Sequence, residues 1–172
     1  MGFMDKIVSK LTPTPPDYAA EMNQVLPAGD AYLAHCLVVP SAFERGGSGG
    51  SGANRLLGKA VDAASTAVSG ARHVGGGEGS IAHGLSRAAD LRVFVIGTSS
   101  VSWWDFGYNG SQLPPEHGHI IARSDVVSFV DTGQTAQGGV PVARITFADD
   151  SFFDYRLMDK PDTDFWNVAA QL

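Results

Sequence analysis

The stretch PVARITFADDSFFDYRL, residues 141–157, decides the fold class of this chain. On either side of a polar turn, apolar and polar side chains alternate, which is the period of a β-strand with one buried face. Ala148, Asp149 and Asp150 supply the turn. The stretch therefore predicts an antiparallel hairpin, and its buried face is formed by Ala143, Ile145, Phe147, Phe153, Tyr155 and Leu157.

Short apolar runs of the same kind fill much of the chain outside this hairpin. We predict seven strands, at residues 31–40, 91–97, 101–108, 119–122, 125–131, 140–147 and 151–157. A closing helix follows, with Asp162 or Thr163 as its N-cap and an apolar face of Phe165, Val168, Ala169 and Leu172. These elements predict a mainly β protein with added helix: a seven-stranded antiparallel barrel or sandwich, capped at its open end by the C-terminal α-helix.

Residues 1–16 are predicted to form an arm and a Pro-rich linker outside a single domain at 17–172. Residues 2–11 have the spacing of an amphipathic helix, which the prolines at 13, 15 and 16 stop. Such an arm suits a membrane surface or a partner protein, but packing on its own domain is favoured because so short a helix binds a bilayer weakly. Its apolar face is formed by Phe3, Met4, Ile7, Val8 and Leu11. A second short helix is predicted at 17–26.

Residues 41–80 are predicted to be a long Gly/Ala-rich insertion after the first strand. Its beginning, GGSGGSGANRLLGKA at 46–60, does not have the spacing of a phosphate-binding loop. Five residues rather than four separate Gly52 from Gly58-Lys59, and Ala60 replaces the Ser or Thr whose hydroxyl would bind the metal ion. An engineered linker remains an alternative. The small-residue run at 54–72 favours a surface helix over an oligomerisation face, so self-association is left open.

Charge and cysteine content exclude several classes of function. The chain has 172 residues and a net charge of −6, and no two of its twelve Lys and Arg residues are adjacent. A nucleic-acid partner would require a basic stripe. The single cysteine, Cys36, lies in an apolar run and is expected to be a buried, inert thiol. We find no signal peptide and no apolar window long enough to span a membrane, so a cytoplasmic location is expected.

The sequence offers few candidates for chemistry. Glu116, His117 and His119 are predicted to lie in one short loop, where solvated side chains are favoured over a metal site. We therefore expect no catalytic residue, no metal and no cofactor. Trp103 and Trp104 are neighbours on a strand and must point to opposite faces, so at most one joins the core. The other is predicted to be a partner contact, or to be covered by the N-terminal arm.

Five blocks of the sequence together resemble the small bacterial pleckstrin-homology-like (PH-like) proteins. The blocks are VLPAGDAYLAHCLVVP (25–40), FVIGTSSVSWWDF (94–106), ARSDVVSF (122–129), RITFADDSFFDY (144–155) and DTDFWNVAAQL (162–172). The chain departs from the family at Asp150, which replaces a hairpin glycine, and at Ser99 and Ser100, which replace a basic pair. The basic first-loop pattern of lipid-binding members is absent, so recognition of a lipid headgroup is not carried over. The resemblance implies a seven-stranded, helix-capped binding scaffold.

The function predicted from the sequence is that of a non-enzymatic, cytoplasmic binding or adaptor module whose partner is a protein. The contact is expected at the exposed tryptophan and the groove beside the C-terminal helix, or at the N-terminal arm. The alternative is a peripheral membrane protein held by the amphipathic helix at 2–11. A third hypothesis is a metal protein that uses Glu116, His117 and His119.

Overall fold

The computed structural model describes residues 15–42, 73–107 and 110–172, and within them the chain is mainly β, with eight strands and three α-helices. The helices are α1 (Tyr18–Val25), α2 (Ile81–Gly84) and α3 (Thr163–Ala169). The strands are β1 (Tyr32–Pro40), β2 (Val74–Gly75), β3 (Arg92–Gly97), β4 (Ser100–Asp105), β5 (Glu116–Ala122), β6 (Val126–Thr135), β7 (Pro141–Phe147) and β8 (Phe152–Leu157). The seven predicted strands and the C-terminal helix are confirmed, with small shifts at their ends.

All the strands belong to one antiparallel sheet with the order β5-β4-β3-β1-β8-β7-β6, and β2 pairs with β8 beside this path. The first strand is therefore central, since it pairs with β3 on one side and with β8 on the other. β5 and β6 are the two edges. The sheet is open, whereas we expected a closed barrel or two separate sheets.

The open sheet nevertheless folds over on itself. The rings of Phe94 on β3 and Phe129 on β6 stack with centroids 4.7 Å apart. In a flat sheet these strands, four positions apart in the order, would be separated by roughly 19 Å, since neighbouring strands lie about 4.8 Å apart. The contact therefore requires the two halves of the sheet to face each other.

The main hydrophobic core lies between these halves. The predicted hairpin supplies much of it: β7 pairs with β8 in the expected antiparallel way, and all six predicted inward-facing residues are buried. α3 closes this core with Phe165 and Ala169. Its N-cap is Asp162, one of the two predicted caps, and Asp162 Oδ1 accepts a hydrogen bond of 2.8 Å from the Phe165 amide.

A second, smaller core lies on the outer face of β1, β3 and β4, where α1 packs. It contains Met22 of α1 together with Val93, Val95, Trp104 and Phe106. Trp103 and Trp104 do point to opposite faces, but each is only 3% exposed. The expectation of one exposed tryptophan is therefore wrong, because α1 covers the face that carries Trp104.

The end of the predicted insertion is built into the fold. Val74 on β2 pairs with Phe153, and the backbone amide of Ile81 on α2 donates a hydrogen bond of 2.8 Å to Asp149 Oδ2. The amide of Ala82 donates to Ser151 Oγ at 3.2 Å. Residues 73–84 therefore pack on the β7–β8 turn, while residues 43–72 of the predicted insertion lie outside the described residues.

The β7–β8 turn places Asp150 in a backbone conformation that favours glycine. Asp150 has φ of +62°, in the left-handed region that favours glycine. The Asp150 amide donates to the Phe147 carbonyl and the Phe147 amide donates to the Ser151 carbonyl, at 3.1 and 2.9 Å. This is a three-residue hairpin loop with its left-handed residue at the last position.

We therefore predict that Asp150→Gly stabilises the protein. Relief of the left-handed strain exceeds the added chain entropy of glycine, so the free energy of unfolding should rise by about 0.5–1 kcal/mol. Urea denaturation measures the change. Asp150→Ala is the control and should lower the free energy of unfolding, because alanine lacks the short polar side chain that eases this conformation. Equal stability of the two variants would contradict the prediction.

Candidate binding groove

A groove runs beside α3, between the first residues of β1 and the segment that joins β8 to α3. Its cavity volume is about 270 Å³. α3 contributes the apolar side chains of Phe165 and Val168 to one wall. The opposite wall and the floor are lined by Tyr32, Leu33, Ala34, His35, Asp159 and Lys160.

Aromatic rings form the wall on the β1 side. The pairing of β1 with β3 is irregular between Tyr32 and Ala34. The Tyr32 hydroxyl and His35 Nδ1 are 2.6 Å apart and share a hydrogen bond. The ring of Tyr18, from α1, packs on His35 with centroids 4.7 Å apart. α1 thus supports the wall through the contact of Tyr18 with His35.

The groove carries a surplus of negative charge. Asp159, Asp162 and Asp164 line it, and Lys160 is the one basic residue among the described residues that do so. Burial raises the pKa of the Asp159 carboxyl, and the Leu37 amide and His35 only partly oppose this effect. Asp159 Oδ1 is buried and has no hydrogen-bond partner among the described residues. Such an oxygen favours a donor that comes from outside the domain.

The two aromatic side chains beside Asp159 tend to stay uncharged. Burial lowers the pKa of His35, although Asp159 and Asp162 act in the opposite direction. Burial raises the pKa of Tyr32, and Asp162 and Asp17 add to the rise. With neutral rings on one side and a carboxylate on the other, the groove can accept one positive charge.

The groove also has apolar lining residues. Leu33 is 39% exposed, and Phe165 and Val168 lie on the α3 side. A partner segment can therefore bury apolar side chains next to the carboxylates.

The residues predicted as contacts lie elsewhere. Trp103 and Trp104 are buried in the two cores and do not line the groove. The arm residues Phe3, Met4, Ile7, Val8 and Leu11 lie outside the described residues. The groove beside the C-terminal helix was expected as a contact, but its polar residues Tyr32, His35 and Asp159 were not identified. A histidine inside the apolar run AYLAHCLVVP was the available signal.

The histidine pair at 117 and 119 lies on a strand, whereas we expected a loop. His117 pairs with Trp104 and His119 with Trp103, across a register shift between β4 and β5. His119 Nε2 accepts a hydrogen bond of 3.2 Å from the Ser86 amide. In the part of the chain that the structure describes, no group of three His, Cys, Asp or Glu side chains is placed to hold a metal ion.

Comparison with protein-family models, with curated proteins and with solved structures finds no match for this sequence. No helix in the described ranges is long and apolar enough to cross a membrane. Cys36 is buried, and burial raises the pKa of its thiol well above the usual range, which agrees with the expected inert cysteine.

The lowered pKa of His35 predicts a specific pH dependence of stability. The unfolded chain binds a proton at His35 near pH 6.5, but the folded protein does so only at lower pH. His35 therefore lowers stability progressively as the pH falls below about 6.5, and has no such effect above it. The wild type should lose more unfolding free energy between pH 7.5 and 5.5 than His35→Gln, measured by urea denaturation.

A direct titration of the His35 ring by NMR should give a midpoint below about 6.5, the usual value for a histidine side chain. A His35 midpoint at or above that value would overturn the prediction.

Proposed function

We propose that this chain is a non-enzymatic binding module of PH-like type, and that the groove beside α3 receives a segment of a partner protein. The observation that carries the proposal is the buried, unpartnered Oδ1 of Asp159 in a groove with a surplus of acidic residues. A lysine or arginine side chain of the partner would donate to this oxygen and balance the charge.

The surroundings of Asp159 favour a protein segment as the ligand. Leu33 offers exposed apolar surface at the rim, and Phe165 and Val168 offer it inside the groove. A partner segment with a basic side chain between apolar ones would match both Asp159 and the apolar lining residues of the groove. The stem of lysine or arginine can also pack along Tyr32 while its charged end reaches the floor.

Part of the architecture supports the PH-like proposal. Seven antiparallel strands and a closing helix are common to the chain and to the helix-capped scaffold that the resemblance implies, although the sheet is open. The quoted blocks also fall on regular elements, with 94–106 on β3 and β4, 144–155 on β7 and β8, and 162–172 on α3. A cytoplasmic location remains part of the proposal. Peripheral membrane binding stays a prediction, since residues 2–11 lie outside the described residues.

The first test compares two glutamate substitutions at exposed apolar positions. Leu33→Glu places an acidic group at the rim of the groove and should abolish capture of the partner from the native cell. Val127→Glu is the matched control: Val127 is 55% exposed on β6, away from the groove. A partner captured equally by both variants would contradict the groove as the binding site.

The second test addresses the charge. Asp159→Asn keeps the shape of the side chain but removes its charge, so affinity for the captured partner should fall roughly tenfold, as expected for one charge-assisted hydrogen bond. Isothermal titration calorimetry of the purified pair measures the change. Unchanged affinity would show that no basic group of the partner meets Asp159.

A further inference from the structure

Two aromatic rings meet at an angle in the groove beside α3. Tyr32 and His35 both line the groove, and their ring centroids lie 5.9 Å apart with the ring planes at 43°. The two rings therefore form a corner rather than a stack. Phe165 and Val168 line the α3 side of the same groove. A ring corner beside apolar side chains offers more apolar contact than an ion pair with Asp159 alone requires.

The rings of this corner are held in place by the fold. The Tyr32 hydroxyl and His35 Nδ1 share a hydrogen bond of 2.6 Å. The Tyr32 amide donates a hydrogen bond of 3.3 Å to Asn23 Oδ1 on α1. The ring of Tyr18 packs on His35 with centroids 4.7 Å apart. Because these side chains are already ordered, a ligand that contacts them loses little affinity to the ordering of the protein.

The ring corner is suited to a cation because its rings tend to stay neutral. Burial lowers the pKa of His35, although Asp159 and Asp162 act in the opposite direction, and burial raises the pKa of Tyr32. The face of a neutral aromatic ring attracts a positive charge that lies within about 6 Å of its centroid, and the attraction grows when the charge is desolvated. The groove therefore combines ring faces with a carboxylate, and both favour a cation.

The carboxylates of the groove differ in their need for a donor. Asp162 and Asp164 are exposed to water, and Asp162 Oδ1 already accepts a hydrogen bond from the Phe165 amide. Asp159 is half-buried, and its Oδ1 has no hydrogen-bond partner among the described residues. Arginine brings five N–H donors and unmodified lysine three, and each donor left unpaired away from water costs free energy. One unpartnered oxygen beside ring faces favours a cation with a single donor.

We propose that the basic side chain received in this groove is a dimethylated lysine. The inference rests on the proposed function and specifies the ligand of that same groove. Dimethylation keeps the positive charge and leaves one N–H, which donates to Asp159 Oδ1. The two methyl groups contact the rings of Tyr32 and His35. The cavity volume of about 270 Å³ lies just below the roughly 300 Å³ at which sites for whole drug-sized ligands begin, so it suits one long side chain.

The test is an NMR titration of the full chain with four probes of equal charge. The probes are the Nα-acetyl methylamides of lysine, dimethyl-lysine, trimethyl-lysine and arginine, each as its chloride salt. The dimethyl probe should shift the backbone amide signals of Ala34 and Asp159 in a saturable way, with a Kd in the millimolar range, on the order of what so few atoms allow. It should bind roughly tenfold more tightly than unmodified lysine, as expected for a partly desolvated cation–π contact. Trimethyl-lysine has no N–H to donate and should bind more weakly than dimethyl-lysine, as should arginine.

The outcomes of the titration distinguish failure of this inference from failure of the proposed function. Binding of unmodified lysine, trimethyl-lysine or arginine as tight as that of dimethyl-lysine would overturn the dimethyl assignment, while a saturable shift of the Asp159 amide would still support a site for a basic group. If none of the four probes shifts the Asp159 amide, both the inference and the proposed role of Asp159 are wrong.

The matched variants are Tyr32→Leu and Phe152→Leu. Tyr32→Leu removes one ring of the corner and should abolish the roughly tenfold preference for the dimethyl probe over unmodified lysine. Phe152 is a half-buried ring on β8 outside the lining of the groove, and Phe152→Leu should keep the preference. Tyr32→Phe retains the ring without the hydroxyl and should also keep it, which maintains the test if Tyr32→Leu fails to fold. A preference retained in Tyr32→Leu, or lost in Tyr32→Phe, would refute the assignment.

Discussion

The stacking of Phe94 on Phe129 is the contact on which the rest of the structure depends. Both rings are buried, and together they join two halves of a sheet that shares no hydrogen bonds between its edges β5 and β6 in the described part of the chain. Each buried ring contributes about 1.5–3 kcal/mol, and their stacking adds roughly 0.5–1.5 kcal/mol. Phe129 also contacts Phe165 and Trp166, at 5.8 and 6.1 Å between ring centroids. The fold-over of the sheet thus positions α3, and α3 forms one wall of the groove.

Several aspartates in the described ranges have partners for their carboxylates, and the contrast with Asp159 explains why that residue defines a candidate site. Asp17 and Asp162 accept hydrogen bonds at the N-termini of α1 and α3, and Asp149 accepts them from Ile81 and Ser151. Asp154 is almost fully buried but is held by Arg144 and His73. In Asp159 burial raises the pKa of the carboxyl more than the Leu37 amide and His35 lower it, and Oδ1 has no partner in the described ranges. A carboxylate kept in that state costs stability, and binding of a basic group would remove the cost.

Much of the local structure could be predicted from the sequence because its causes are local. The alternation in 141–157 identified the buried face of the β7–β8 hairpin residue by residue, and Asp162 was one of the two residues predicted to cap α3. Position 150 has a positive φ, which favours the glycine that Asp150 replaces in the predicted resemblance. The groove was expected beside α3, but its residues were not, because Tyr32 and Asp159 lie far apart in the chain.

The sequence by itself determined the seven long strands and the helices α1 and α3, since side-chain periodicity and capping act within a few residues. Only the tertiary structure decided what covers each face. Trp104 is buried because α1 packs on the face of the sheet that carries it. His117 and His119 lie on a strand because β5 pairs with β4. The sheet is open and folded over rather than closed, because aromatic contacts between its halves, not hydrogen bonds between its edges, hold it together. Such contacts join residues distant in sequence, and their free energy depends on the shape of the whole core.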